Sequence, residues 1–150
     1  MRRLKSILGL VGIAAGLGQF SGIALAAPPG APVVTLTGNQ TVTVCNDPKQ
    51  ATDLVITANA TNLGGKAAAF SWATDIPGIN ITAHTKRTPT ATGQVLTIPA
   101  AAIQQALASA SVNMASVSAF RVRLFVANYQ NLTSDMVEFA FKVERCQLKR

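Results

Sequence analysis

Ala119-Phe120-Arg121-Val122-Arg123-Leu124-Phe125-Val126-Ala127, followed after a polar connection by Val137-Glu138-Phe139-Ala140-Phe141-Lys142-Val143, is the stretch that decides the fold. In its first half Phe120, Val122, Leu124 and Val126 alternate with Arg121, Arg123, Phe125 and Ala127. A period of two places one apolar row on one face of a β-strand. The second half repeats the pattern, with Val137, Phe139, Phe141 and Val143 inward and Glu138, Ala140, Lys142 and Glu144 outward. Between them Tyr129-Gln130-Asn131-Leu132-Thr133-Ser134 has the Asn and Ser content of a hairpin connection. Four of the six Phe fall in this hairpin, so the core is expected to be built here. The hairpin carries no reactive constellation.

Upstream, Pro99 opens an alanine-rich stretch in which Ile103 and Leu107 fall one helical turn apart, beside Ala106 and Ala110. This predicts a short amphipathic helix crossing one end of the sheets. Val95 to Ile98 reads as a strand, and the Thr-rich stretch from His84 to Gly93, with Lys86-Arg87, as a loop or ragged edge. The turn Asp75-Ile76-Pro77-Gly78 is expected to lead into a short strand at Ile79 to Ala83. Ala68, Phe70 and Trp72 form the apolar row of a third strand, and Leu54, Ile56, Ala58 and Ala60 that of a second. The first strand comes in two pieces, Val33 to Leu36 and Val42 to Val44, kinked at Gly38-Asn39.

About seven short strands at this spacing, with one crossover helix, define an all-β immunoglobulin-like sandwich. Val33-Val34-Thr35-Leu36, Ile56-Thr57-Ala58, Phe70-Ser71-Trp72, Leu96-Thr97-Ile98-Pro99 and Phe120 to Val126 resemble the polycystic kidney disease (PKD) domains and their bacterial immunoglobulin-like relatives. The resemblance implies an extracellular, non-catalytic module for adhesion, spacing or contact with protein and carbohydrate.

At the N-terminus, Arg2, Arg3 and Lys5 precede an apolar run from Ile7 to Leu17, and Ala24-Leu25-Ala26 offers small residues to a signal peptidase. Residues 1–26 therefore read as a secretory signal peptide. Arg2-Arg3 also fits twin-arginine export. The remaining chain divides into an extended, mobile leader at 27–32, holding three of the seven prolines, and a single domain at 33–150. No segment approaches the length of about 18 apolar residues that a membrane span needs. The whole chain carries a net charge of +7, with 13 basic and 6 acidic residues. Three of those basic residues lie in 1–26, so the mature charge is 10 − 6 = +4. The cations are scattered and Trp and Tyr occur once each, which argues against nucleic-acid binding. The expected setting is the periplasm or the exterior, with an envelope or extracellular protein or polysaccharide as partner.

Cys45 and Cys146 are the two cysteines of a chain bound for an oxidising compartment, which implies one disulfide; free buried thiols and an intermolecular bridge are the competing readings. Antibody-type domains bridge the second and sixth strands, where neither cysteine lies. If the first and last strands run parallel as neighbours, both cysteines emerge at one end of the fold.

No cofactor is implied. One His and no Cys-x-x-Cys are too few ligands for zinc. His84 could join Asp75 and a serine in a hydrolytic triad, but no Gly-x-Ser-x-Gly elbow is present. The six carboxylates are dispersed, with no pair for glycoside hydrolysis and no calcium loop. Trp72 could be an exposed carbohydrate platform, yet its alternation with Ala68 and Phe70 places it in the core. Lys86 and Arg87, and the tail cations Arg145, Lys149 and Arg150, are the candidate contacts for an anionic partner. A structural or interaction module is the first reading. A subunit of a surface fibre is the second, and a small secreted enzyme the third.

Overall fold

A computed structural model of the chain describes residues 30–64, 69–90, 92–113 and 118–146. Residues 1–26, read above as a signal peptide, and residues 27–29 of the leader lie outside them. In chain order the strands are β1 (Val33–Gly38), β2 (Thr41–Val44), β3 (Leu54–Thr61), β4 (Ala69–Thr74), β5 (Thr85–Arg87), β6 (Gly93–Ile98), β7 (Ser118–Ala127) and β8 (Val137–Arg145). One helix, α1 (Ala100–Ser109), links β6 to β7. The strands form two four-stranded sheets, ordered β1-β3-β6-β5 and β2-β8-β7-β4. Neighbours run antiparallel except β2 and β8, which are parallel, with Val42 opposite Val143. This is the strand order of an immunoglobulin-like sandwich whose first strand is shared between the sheets.

Asn39 makes that sharing possible. As β1 leaves β3, the Asn39 side-chain oxygen accepts the Val55 N–H at 2.7 Å, while its amide nitrogen donates to the carbonyls of Thr41 and Asp53 at 2.9 and 2.8 Å. One side chain thus replaces ladder bonds that the departing backbone gives up. Gly38 precedes it because a Cβ there would strike the Val55 carbonyl oxygen.

The inward rows follow the sequence periodicity. Leu54, Ile56, Ala58 and Ala60 of β3 are buried, as are Val122, Leu124 and Val126 of β7 and Phe141 and Val143 of β8. Ile103 and Leu107 dock α1 into the larger core cluster beside Val42, Val44, Leu96 and Ile98. The core is accordingly less phenylalanine-centred than the sequence suggests. Phe141 is buried, Phe120 and Phe139 pack half-buried at its margin, and Phe125 faces solvent.

Two other expectations are corrected. Ile79 to Ala83 is not a strand: the chain turns through Gly78 at φ +73° and forms a 3-10 turn over Ile81–His84. It is crossing there from one sheet to the other, where no ladder is within reach, and buried Ile76 and Ile81 anchor the crossing. The pairing strand comes later, as β5 beside β6. The described part of the leader is held rather than mobile. Ala31 and Pro32 are buried, and the carbonyls of Gly30 and Ala31 accept from Asn128 and Asn62 at 3.2 and 3.3 Å.

Candidate functional site

Three of the six carboxylates, Asp47, Asp53 and Asp75, are engaged in holding the backbone. Asp47 caps the 3-10 turn Pro48–Gln50 by accepting the Lys49 N–H at 3.0 Å. Asp53 accepts the Ala100 N–H at 2.8 Å. It thereby caps α1 from a distant loop, because Pro99 at the cap position offers no side-chain oxygen. Asp75 accepts the Arg121 N–H at 2.6 Å where β4 ends. Glu138 lies between Arg121 and Arg123 on the outer face of β7 and β8, at 3.4 and 2.9 Å. Among the described residues no three His, Cys, Asp or Glu side chains gather as a metal site.

His84 lines an open cleft of about 490 Å³ between the 77–84 segment and α1, with Asn80, Gln105 and Ser109. The triad partner considered for it, Asp75, is not in that lining and is engaged with Arg121. Lys86 and Arg87 lie exposed on β5, at the edge of one sheet. Arg145 lies on β8 of the other sheet, and Lys149 and Arg150 fall outside the described residues.

Trp72 points inward, as its alternation predicts, but it is half-buried rather than enclosed. It packs against both core clusters, and its Nε1 donates to Gln94 Oε1 on the facing sheet at 2.7 Å. The exposed aromatic surface is elsewhere. Tyr129 is 55% exposed and lies over Gly64, whose φ of +64° and missing Cβ make room for the ring. Phe125 on β7 and Met136, just before β8, are 43% and 63% exposed.

The loop that presents Tyr129 is built on Asn128, which is 4% exposed. Its side-chain oxygen accepts the N–H groups of Gln130 and Leu132, both at 3.0 Å, and its amide donates to the carbonyls of Gly30 and Asn62 at 3.2 and 3.4 Å. A buried amide satisfied in this way fixes three chain segments at once. Tyr129, on the loop that Asn128 ties down, is the candidate contact residue, and Phe125 and Met136 are further exposed apolar side chains of the same hairpin. Sequence reading placed Phe125 in the outward row but missed Tyr129, whose only signal was its place in a turn.

At the opposite end Cys45 and Cys146 form a disulfide, with Cα atoms 5.1 Å apart and a sequence separation of 101. It closes the parallel β2–β8 pair where both strands finish. The expected bond and the expected parallel pairing are both present.

No family model matches the chain. No curated protein matches it either. Among solved structures, the chain overlaps AggA, the major subunit of aggregative adherence fimbriae type I from Escherichia coli, at 10% identity and a TM-score of 0.35, over 77% of this chain and 95% of that one. So loose an overlap supports no inference about function, and the fold assignment rests on the strand order.

Proposed function

We propose that this chain is a non-catalytic immunoglobulin-like module working in the periplasm or outside the cell, with a structural or adhesive role through protein or polysaccharide contact. The observation that carries this reading is the Cys45–Cys146 bond across the ends of β2 and β8. Such a bond persists in oxidising compartments, and it ties the last strand of the domain to its first. The rigid Tyr129 loop supports the contact role, since an exposed aromatic on a fixed backbone binds at low entropic cost. Kinship with PKD-like and bacterial immunoglobulin-like modules belongs to the same proposal.

A surface-fibre subunit is the second reading. What favours it is the edge of β4, six residues without charge or proline, to which a strand could add. Exchange of a donor strand into the fold is disfavoured, because β8 already fills the place between β2 and β7 with buried Phe141 and Val143. The two readings separate on an unheated denaturing gel of surface extract. The module reading expects a single monomer band. A ladder of subunit multiples that collapses on boiling would establish the fibre.

A further inference from the structure

The cleft beside His84 has two anchored walls. On one side the 77–84 segment is pinned by buried Ile76 and Ile81. On the other, α1 is docked into the core through Ile103 and Leu107, and Ala102, Gln105, Ala106 and Ser109 on its adjoining face line the cleft. Ala102 and Ala106 keep the floor low, where longer side chains would fill the gap. The volume of about 490 Å³ lies within the range of about 300–1,000 Å³ in which small-molecule sites fall. That is room for a small ligand or one end of a polymer, not for a folded partner.

Both rims are polar, with Asn80 and His84 on one wall and Gln105 and Ser109 on the other. The fold uses Asn39, Asp53 and Asn128 to satisfy its own backbone. It does not use these four: among the described residues none of their side chains hydrogen-bonds to the protein, although His84 is half-buried. Two carboxamides, a hydroxyl and an imidazole in its neutral form can each both donate and accept. Among the described residues no Asp, Glu, Lys or Arg lines the cleft. The matching chemistry is a set of neutral hydroxyls, which donate and accept in the same way, on a ring whose C–H groups rest on the alanine floor. A peptide backbone divides the two roles between N–H and C=O, and an acidic ligand would meet no counter-charge.

We propose that the cleft between α1 and the 77–84 segment binds a neutral saccharide unit, with its hydroxyls held by Asn80, His84, Gln105 and Ser109. This site rests on the contact role proposed above, of which it is the polysaccharide part, and Tyr129 does not line it.

The test is a proton NMR titration of the protein purified without reductant, whose single His and single Tyr give two separate reporters. The probes are cellotriose, chitotriose and maltotriose, with trialanine as the peptide control. A saturable shift of the His84 ring signals with at least one trisaccharide, and none with trialanine, is the expected result. Ala106→Leu, which raises the floor, and Gln105→Leu, which removes one amide, should each weaken that binding about tenfold or more. Gln105 is exposed, so an unchanged melting point for its variant separates lost binding from lost folding. His84 signals that stay still with every trisaccharide overturn the site. So does a shift that survives both substitutions, and so does a response to trialanine as strong as that to the sugars. Movement of the Tyr129 signals without those of His84 also overturns it, yet leaves the contact role standing. The contact role fails separately, on the gel ladder described above.

Discussion

Asn128 shows how much of this molecule rests on single side chains. Its four side-chain hydrogen bonds join the residues before β1, the loop after β3 and the β7–β8 turn. Asn128→Ala leaves buried N–H and C=O groups without partners, and should cost about 2–4 kcal/mol in urea unfolding. It should also expose the Gly30 end to proteases, and a variant as stable as the parent would show that water replaces the amide. Trp72 is the second such residue. Half burial lowers the cost of Trp72→Ala below that of a fully enclosed tryptophan, to about 2–3 kcal/mol. Trp72→Phe, which keeps most of the packing and loses the bond to Gln94, should cost about 1 kcal/mol. Neither role of these residues is fully legible in the sequence. Trp72 shows its inward phase through Phe70, but its partial exposure depends on the absence of a neighbour to β4. Asn128 shows nothing, because its amide partners lie 98 and 66 residues away.

Elements with a strong period were legible because burial on one face is a local property. The β3 row Leu54, Ile56, Ala58 and Ala60, and the α1 pair Ile103 and Leu107, stand where period two and period 3.6 put them. Ile79 to Ala83 misled because a short alternating run reads alike in a strand and in a crossing segment, and only the topology decides between them. The cap of α1 was hidden for the same reason, since Asp53 reaches Ala100 across 47 residues. Asp53→Ala should destabilise the domain by about 1 kcal/mol and increase hydrogen exchange at the first turn of α1. Unchanged exchange at Ala100 to Ala102 would remove Asp53 from that role. By contrast Glu138→Gln, which loosens the exposed pairs with Arg121 and Arg123, should change stability by less than about 1 kcal/mol.

At the scale of the whole molecule, two facing sheets are closed along one side by a strand that changes sheets at Asn39 and are locked at one end by a disulfide. Parallel pairing of β2 with β8 brings Cys45 and Cys146 together, which lets the bond form. The strand pattern and the cysteine positions made this much readable beforehand. The outward phase of Phe125 was readable too, but the presentation of Tyr129 was not, since it depends on three segments meeting at Asn128. In the chain-entropy model a closed loop of about 100 residues contributes about 4.7 kcal/mol, and native strain or residual structure in the unfolded chain lowers that figure. The most direct test of the clamp is a non-reducing peptide map, with thiol counting, of the protein purified without reductant. One peptide pair joined through Cys45 and Cys146, with no free thiol, is the predicted result. Two free thiols, or a covalent dimer as the main species, would contradict the clamp and weaken the case for the parallel pairing of β2 with β8.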